Sequence, residues 1–232
     1  SHNWNDYQMK KKIIFYGDSV TFGGSYIDND SLFSEKICKN YLTDSICGNF
    51  AVNGYLLGNL VTRLKETDDN LYDQLIVVVS SSFRNGKMEI TNFPFYKEYN
   101  YFVLKSSFEI LNHILFKYKI MDRYHKKKFK NSANTESLKD QSSNQILELT
   151  NFFQKKSTKK KISIFILPTL ENLRGIHNKK NFLDDLKINN VQSINLYSLM
   201  KKINYEEFYF NNAHLNEKGH DYLAKIIYGY IK

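Results

Sequence analysis

Residues 13–24 read IIFYGDSVTFGG, and this stretch decides the fold class. It begins with a short apolar run that is rich in β-branched and aromatic side chains, as expected of a strand covered on both faces. The run ends in Gly17, Asp18 and Ser19, and the small residues that follow are typical of a turn. A serine at such a junction projects from the carboxyl end of an α/β sheet, where ligands bind.

Similar apolar runs recur along the chain and alternate with amphipathic segments. This alternation predicts βαβ units and a mostly parallel sheet. Continuous apolar runs predict strands at 13–16, 75–79 and 162–167, and weaker apolar patterns predict strands at 48–52 and 193–196. Helices are predicted at 31–41, 56–67, 98–120, 144–156, 181–187 and 217–231.

Length and composition favour a single α/β domain. The chain has 232 residues, and its 42% hydrophobic fraction includes 17 Tyr and 17 Phe, which supplies ample area for one core. We predict one domain over residues 9–232 and an appended or disordered segment over residues 1–8. The polar, basic stretch 126–143 predicts a surface loop, and the irregular stretches 83–97 and 169–180 are candidate pocket loops.

The net charge of +9 raises the question of an acidic partner. The lysine blocks lie beside predicted strand or helix ends and in one polar loop, so we interpret them as solvated surface and predict no nucleic-acid partner. No apolar run approaches the roughly 20 residues that span a bilayer. Cys38 and Cys47 are too few to suggest a disulfide framework, which favours a reducing, cytoplasmic location. No metal-ligand spacing or nucleotide fingerprint occurs, so we predict no metal and no cofactor.

Two short segments near opposite ends of the chain carry residues suited to nucleophilic catalysis. Ser19 follows the first strand, and its backbone N–H is free to donate to an oxyanion. Taken alone, Gly-Asp-Ser is equally an ordinary turn in which the serine caps a helix. The second segment, NNAHLNEKGH at 211–220, places His214 just before the last predicted helix. A lone histidine there is usually a surface or structural residue.

Together the two segments resemble the SGNH (GDSL) hydrolase family. The family's first block, GDS followed by Leu or Val, matches residues 17–20, and its last block, D-x-x-H-(L/P)-(N/S)-x-x-G-H, is similar to residues 211–220. NFAVNGYLLG at 49–58 resembles the second block. The resemblance implies an α/β fold, a three-layer α/β/α sandwich with a mostly parallel sheet, known as the flavodoxin-like SGNH hydrolase fold. It also implies that Ser19 is the nucleophile, that His214 is the general base, and that the N–H groups of Ser19 and Gly54 line an oxyanion hole.

The third block departs from the family pattern. Where the family has G-x-N-D, this chain continues with three serines. By register Ser82 takes the position of the family's asparagine, and its hydroxyl can donate one hydrogen bond to the oxyanion; Ser81 and Asn85 are alternatives. Arg84 is either a substrate-binding residue for an anionic group or a member of a structural ion pair.

The last block departs at Asn211, where the family has aspartate. Three readings remain open. Asn211 or a backbone carbonyl orients His214 in a Ser-His dyad; Glu206 or Glu207 supplies the missing carboxylate; or the chain is a weak or inactive relative.

The resemblance therefore implies a serine esterase that cleaves short-chain acyl esters through an acyl-enzyme. A small-molecule or carbohydrate ester is the expected substrate. Two alternatives are a glycan O-acyltransferase that uses the same serine and a non-catalytic binding protein that retains the fold.

Overall fold

A computed structural model of the chain describes residues 10–24, 27–83, 135–176 and 188–232, without the side chains of residues 135–143. The chain divides into two compact units, one of residues 1–87 and 144–232 and the other of residues 88–143. The described strands and helices belong to the first unit, apart from residues 135–143 of one helix. Residues 1–8, the predicted helices 98–120 and 181–187, and Arg84 and Asn85 lie outside the described residues. The single-domain assignment stays a prediction.

Five parallel strands form one sheet in this part of the chain. Their order is β2-β1-β3-β4-β5, and each neighbouring pair is parallel. The order reverses direction between β1 and β3, and in open α/β sheets ligands bind at the carboxyl edge beside such a switch point. The strands are β1 (Lys11–Gly17), β2 (Ser45–Asn49), β3 (Gln74–Ser80), β4 (Lys161–Leu167) and β5 (Val191–Asn195).

Helices cover both faces of the sheet. Along β1, Ile13 and Phe15 belong to one apolar cluster, and Ile14 and Tyr16 belong to a second one on the opposite face. This alternation is the period-two geometry of a strand buried on both sides. The described helices are α1 (Ser19–Phe22), α2 (Phe33–Asn40), α3 (Leu57–Glu66), α4 (Thr135–Lys156), α5 (Leu170–Leu173), α6 (Tyr197–Met200) and α7 (Glu217–Ile231), with 3₁₀ turns at Asn29–Ser31, Asp69–Leu71 and Tyr205–Phe208.

The two faces are covered by different helices. The first cluster draws residues from α2 and α7, and the second draws residues from α3 and α4. The chain thus forms the predicted α/β/α sandwich. Among the described residues, no helix combines the length and the apolar character needed to cross a membrane.

Two elements differ most from the sequence prediction, by three residues or more at one end. Helix α4 begins at Thr135, so residues 135–143 are helical and not part of a surface loop. They contain neither Gly nor Pro, and a polar segment without these breakers continues a helix even when it lacks apolar periodicity. Strand β2 covers Ser45–Asn49 and not 48–52. It is an edge strand and is only partly buried, which weakens the pattern that marks its ends.

A disulfide joins Cys38 in α2 to Cys47 in β2. The expectation that Cys38 and Cys47 indicate no disulfide is therefore wrong. Sequence spacing could not show that the end of α2 packs beside the edge strand, and only this proximity makes the bond possible. Disulfides persist mainly in oxidising compartments, so the cysteines no longer favour a cytoplasmic location, which stays a prediction.

Candidate active site

The junction between β1 and α1 fixes the position of Ser19. Asp18 caps α1, with its Oδ1 accepting from the backbone N–H of Val20 at 3.0 Å. Its Oδ2 accepts from the backbone N–H of Ser80 at 3.1 Å, which ties the end of β1 to the end of β3. The capping residue is thus Asp18, and Ser19 is the first residue of the helix. Ser19 is therefore held at the carboxyl edge, beside the switch point.

Gly17 allows this close approach of the two strands. A Cβ atom at this position would lie 1.9 Å from the carbonyl oxygen of Val78 and 2.4 Å from the hydroxyl of Thr21. Both neighbours are buried. Any larger residue at position 17 would therefore force β1, Val78 or Thr21 to shift.

A short loop between the last 3₁₀ turn and α7 carries His214. Tyr209 and Leu215 pair as an antiparallel bridge at its base. Within the loop, the N–H of Phe210 donates to the carbonyl of His214 at 2.8 Å. Asn216 caps α7 by accepting from the N–H of Gly219 at 3.0 Å. The loop thus leaves the bridge, turns back on itself and returns into the helix.

The loop brings three of the predicted residues together. His214 Nε2 lies 2.8 Å from Ser19 Oγ, and His214 Nδ1 lies 3.0 Å from Asn211 Oδ1. Serine, imidazole and amide thus form a continuous hydrogen-bonded line, the arrangement in which a base activates a nucleophile and a third group orients the base. Their catalytic roles stay predictions.

The orientation of the Asn211 amide determines which imidazole nitrogen carries the proton. Its Oδ1 also accepts from the backbone N–H groups of Ala213 and His214, each at 3.0 Å. Turning the amide over would point its NH₂ at these two donors, so the carbonyl oxygen must face the loop. A carbonyl oxygen only accepts, so His214 Nδ1 carries the proton and Nε2 presents its lone pair to Ser19. The loop backbone thereby avoids the wrong tautomer that an asparagine can otherwise impose.

The electrostatic surroundings keep His214 neutral. Burial lowers the pKa of His214, and the nearby carboxylate of Asp18 opposes that shift. Burial raises the pKa of Asp18, against the backbone hydrogen bonds from Ser80 and Val20. A histidine whose pKa is lowered is unprotonated at neutral pH and can accept a proton.

The structure pairs Glu206 and Glu207 with groups other than His214. Glu206 pairs with Arg174 at 2.9 Å, and Glu207 accepts from the side chain of Asn204. The reading in which Glu206 or Glu207 supplies the carboxylate is thus not the observed arrangement. Asn211 itself occupies the place behind the imidazole.

The two residues predicted to donate backbone N–H groups to an oxyanion are Ser19 and Gly54. Gly54 lies in the turn between β2 and α3 with φ of +81°, a left-handed conformation that favours glycine. Among the hydrogen bonds of the described residues, neither the N–H of Gly54 nor that of Ser19 has an acceptor. Both N–H groups are thus available to a ligand.

The serines at the end of β3 are engaged with one another and with neighbours. The Ser80 hydroxyl is hydrogen-bonded to the Asp18 side chain. Ser80 Oγ and Ser82 Oγ lie 2.8 Å apart, and either hydroxyl can donate to the other. The Ser81 hydroxyl contacts the side-chain carbonyl of Asn172. Ser82 donates to an oxyanion only when its hydroxyl proton points away from Ser80.

Sequence reasoning missed the role of Asp18, although it belongs to the motif that identified Ser19. The signal was available, since aspartate is among the preferred helix caps and the residues after it begin a turn. Its second bond, to the N–H of Ser80, depends on strand order and has no signal in the sequence. Among the described residues, no cluster of His, Cys, Asp and Glu side chains could hold a metal ion.

Comparison with known proteins gives a likeness of structure. No family model and no curated protein sequence matches the chain. The lipase/acylhydrolase from Enterococcus faecalis is similar with a TM-score of 0.52 and 13% identity over 95% of each chain. The lipase Lip_vut3 from a goat rumen metagenome is similar with a TM-score of 0.51 and 12% identity over 95% of this chain and 97% of that one.

A third similar structure is that of a putative lipolytic protein of the G-D-S-L family from Desulfitobacterium hafniense. It has a TM-score of 0.50 and 10% identity, over 95% of this chain and 99% of that one. Likeness at such identities is a likeness of fold. The resemblance to the SGNH (GDSL) family that the motifs indicated therefore holds for the fold along nearly the whole chain.

Proposed function

We propose that this chain is a serine hydrolase that cleaves acyl esters, with Ser19 as nucleophile and His214 as general base. The observation that carries the proposal is the 2.8 Å contact between Ser19 Oγ and His214 Nε2, with Asn211 behind the ring. Proton transfer between a base and its nucleophile requires this range of distance. The Nδ1–H tautomer gives the transfer its correct direction.

The proposed reaction proceeds through an acyl-enzyme. Ser19 Oγ attacks the ester carbonyl carbon while its proton moves to His214 Nε2. The N–H groups of Ser19 and Gly54 donate to the resulting oxyanion. When the tetrahedral intermediate collapses, the C–O bond to the alcohol breaks and His214 returns the proton to the leaving oxygen. A water molecule then repeats the sequence at the acyl-enzyme and releases the acid.

Asn211 differs from a carboxylate in one respect that affects the rate. It orients the ring as a carboxylate would, but it places no charge beside the imidazolium that forms in the first step. We therefore propose an active enzyme whose imidazolium is less stabilised than in a Ser-His-Asp triad. Ser82 remains a third oxyanion donor in this proposal, provided that its hydroxyl turns away from Ser80. Arg84 remains a proposed substrate-binding residue.

The substrate we propose is a short-chain acyl ester of a small molecule or a carbohydrate. Ser19 and His214 are both partly exposed, so a substrate can reach them. A series of aryl esters of increasing acyl length, assayed beside an acetylated oligosaccharide, tests this class. Product analysis with and without an acceptor sugar separates hydrolysis from acyl transfer.

The decisive experiment is covalent labelling with a fluorophosphonate, followed by mapping of the labelled residue. We expect the label on Ser19, no label in Ser19→Ala, and slow labelling in His214→Ala. Ser157→Ala is the matched control, since this serine lies after α4, at the opposite edge of the sheet. A folded chain that takes no label at Ser19 would be a binding protein and not a hydrolase.

Turnover of a short-chain aryl ester gives the second test. Ser19→Ala and His214→Ala should each abolish it, and the double variant should be no worse than either single variant, because the two residues act as one unit. A double variant that is far slower than both would show that the roles are independent and that the proposed mechanism is wrong.

A further inference from the structure

Asn212 helps to attach residues 209–216, the histidine loop that carries His214, to the segment that follows β4. The carbonyl oxygen of Asn212 accepts from the backbone N–H of Leu170 at 2.8 Å. Its side-chain Oδ1 accepts from the N–H of Glu171 at 3.0 Å. Leu170 and Glu171 open helix α5, which directly follows β4. The side chain and the backbone carbonyl of Asn212 thus connect the histidine loop to the segment that follows the carboxyl end of β4.

The segment that receives these bonds is itself fixed. Thr169 caps α5, and its N–H donates to Asn172 Oδ1 at 3.1 Å. The same N–H contacts Ser81 Oγ at 3.1 Å, at the end of β3. Tyr209, at the base of the histidine loop, donates its hydroxyl to the carbonyl of Pro168. Asn212 is therefore bound to a rigid support that two central strands hold in place.

The chemistry of Asn211 explains why such a support matters. A carboxylate attracts an imidazolium over a distance, but a neutral amide orients the ring only through its hydrogen bond. The net stabilisation from such a bond is about 1 kcal/mol. The position of the Asn211 oxygen must then come from the backbone that carries it. Asn212 is the next residue along that backbone, and its two bonds reach the start of helix α5, after β4.

We propose that Asn212 is a positioning residue, which fixes Asn211 and through it holds His214 against Ser19. This inference rests on the proposed function for its kinetic consequences. It also makes a structural claim about the ring of His214 that does not depend on turnover.

The test compares two substitutions at one position. Asn212→Ala removes the acceptor for the Glu171 N–H, whereas Asn212→Asp keeps it. We expect kcat for an aryl ester to fall about 10- to 100-fold in Asn212→Ala with KM changed less than twofold, because small misplacements of reacting groups cost this much. Asn212→Asp should restore kcat to within about threefold of the unmodified chain, since its oxygen can accept the same bond.

Asp68→Ala provides the matched control. Asp68 is also exposed, and its Oδ1 accepts from one backbone N–H, that of Asn70, at 3.0 Å, just before β3 begins at the opposite edge of the sheet. It should lower the melting temperature about as much as Asn212→Ala and leave kcat unchanged. If Asn212→Ala does not fold, Asn212→Gln moves the acceptor by one methylene and serves in its place with the same expected loss.

A second readout is the long-range ¹H–¹⁵N spectrum of the His214 imidazole. The unmodified chain should show one tautomer with the proton on Nδ1, and Asn212→Ala should show a mixture, while Asp68→Ala keeps the single form. A folded Asn212→Ala with unchanged kcat and an unchanged tautomer would overturn the inference. If the unmodified chain turns over no ester, the proposed function fails, and the spectrum still decides whether Asn212 positions the ring.

Discussion

Replacing Asn211 by aspartate restores the carboxylate that the family pattern has at this position, and it tests the reasoning about the site most directly. The carboxylate would take the place of an oxygen that lies 3.0 Å from His214 Nδ1 and accepts from two backbone N–H groups. An ionised carboxylate accepts at the same points, so the fold of the loop should be retained. Its charge would stabilise the imidazolium that forms as Ser19 loses its proton.

The size of the gain follows from Coulomb's law and exposure. Two unit charges 4 Å apart attract by about 4 kcal/mol at the effective dielectric constant near a protein surface. Asn211 is exposed, so solvent screens most of this attraction and about 1 kcal/mol remains. Each 1.4 kcal/mol is a factor of ten, so the plateau of kcat should rise about fivefold in Asn211→Asp.

The full pH profile of kcat/KM for a short-chain aryl ester separates this effect from a simple change in titration. A neighbouring carboxylate raises the pKa of His214, so the acid limb should move to higher pH while the plateau rises. Below the new pKa the protonated histidine cannot act as base, and the variant has no advantage there. Asn151→Asp, on the exposed surface of α4, adds the same charge far from the histidine loop and should leave the profile unchanged. A plateau within twofold of the original, with the fold intact, would refute the claim that Asn211 orients His214.

Two further predictions concern stability. Burial, assisted by Lys36, lowers the pKa of His220 to about 4, against 6.5 in the unfolded chain. Between these values only the unfolded chain binds the proton, so the stabilisation is complete above pH 6.5 and falls by about 2 kcal/mol by pH 5. Urea titrations should show this loss in the unmodified chain and a smaller one in His220→Gln; equal losses would contradict the assignment. The disulfide between Cys38 and Cys47 closes a loop with a sequence separation of 9, and its removal should cost about 2–3 kcal/mol. Calorimetry with and without a thiol reductant checks this, with the Cys38→Ser/Cys47→Ser chain as the control that a reductant should not change.

The parts of the fold that the sequence predicts well are those with strong periodic or continuous patterns. The central strands β1, β3 and β4 are buried on both faces, so their apolar runs mark them clearly. Helix α7, with its cap at Asn216, agrees with the predicted range 217–231. Helices α5 and α6 have only four residues each, too few to show a helical period, and they were not predicted.

The candidate site likewise contains residues that the sequence predicts and contacts that it does not. Ser19, Asn211 and His214 stand out because their motifs are local in sequence. The hydrogen-bonded set of Asp18, Ser80 and Ser82 does not, because Asp18 and Ser80 meet only when β1 and β3 pair. The hydrogen bonds to Asn212 cannot be predicted from the sequence either. Leu170 and Glu171 make them with their backbone N–H groups, which every residue type except proline has.

The distance along the chain between Ser19 and His214 has a further consequence for catalysis. The two residues are 195 positions apart, and closing a flexible loop of that length costs about 5 kcal/mol of chain entropy. Burial of β1 and α7 in one apolar cluster offsets this cost once, when the chain folds. In the proposed reaction, Ser19 Oγ and His214 Nε2 then meet each substrate without a new search through conformations. The proposed activity therefore depends on the packing of the whole sheet, and a substitution that loosens α7 from β1 should lower it without contacting Ser19.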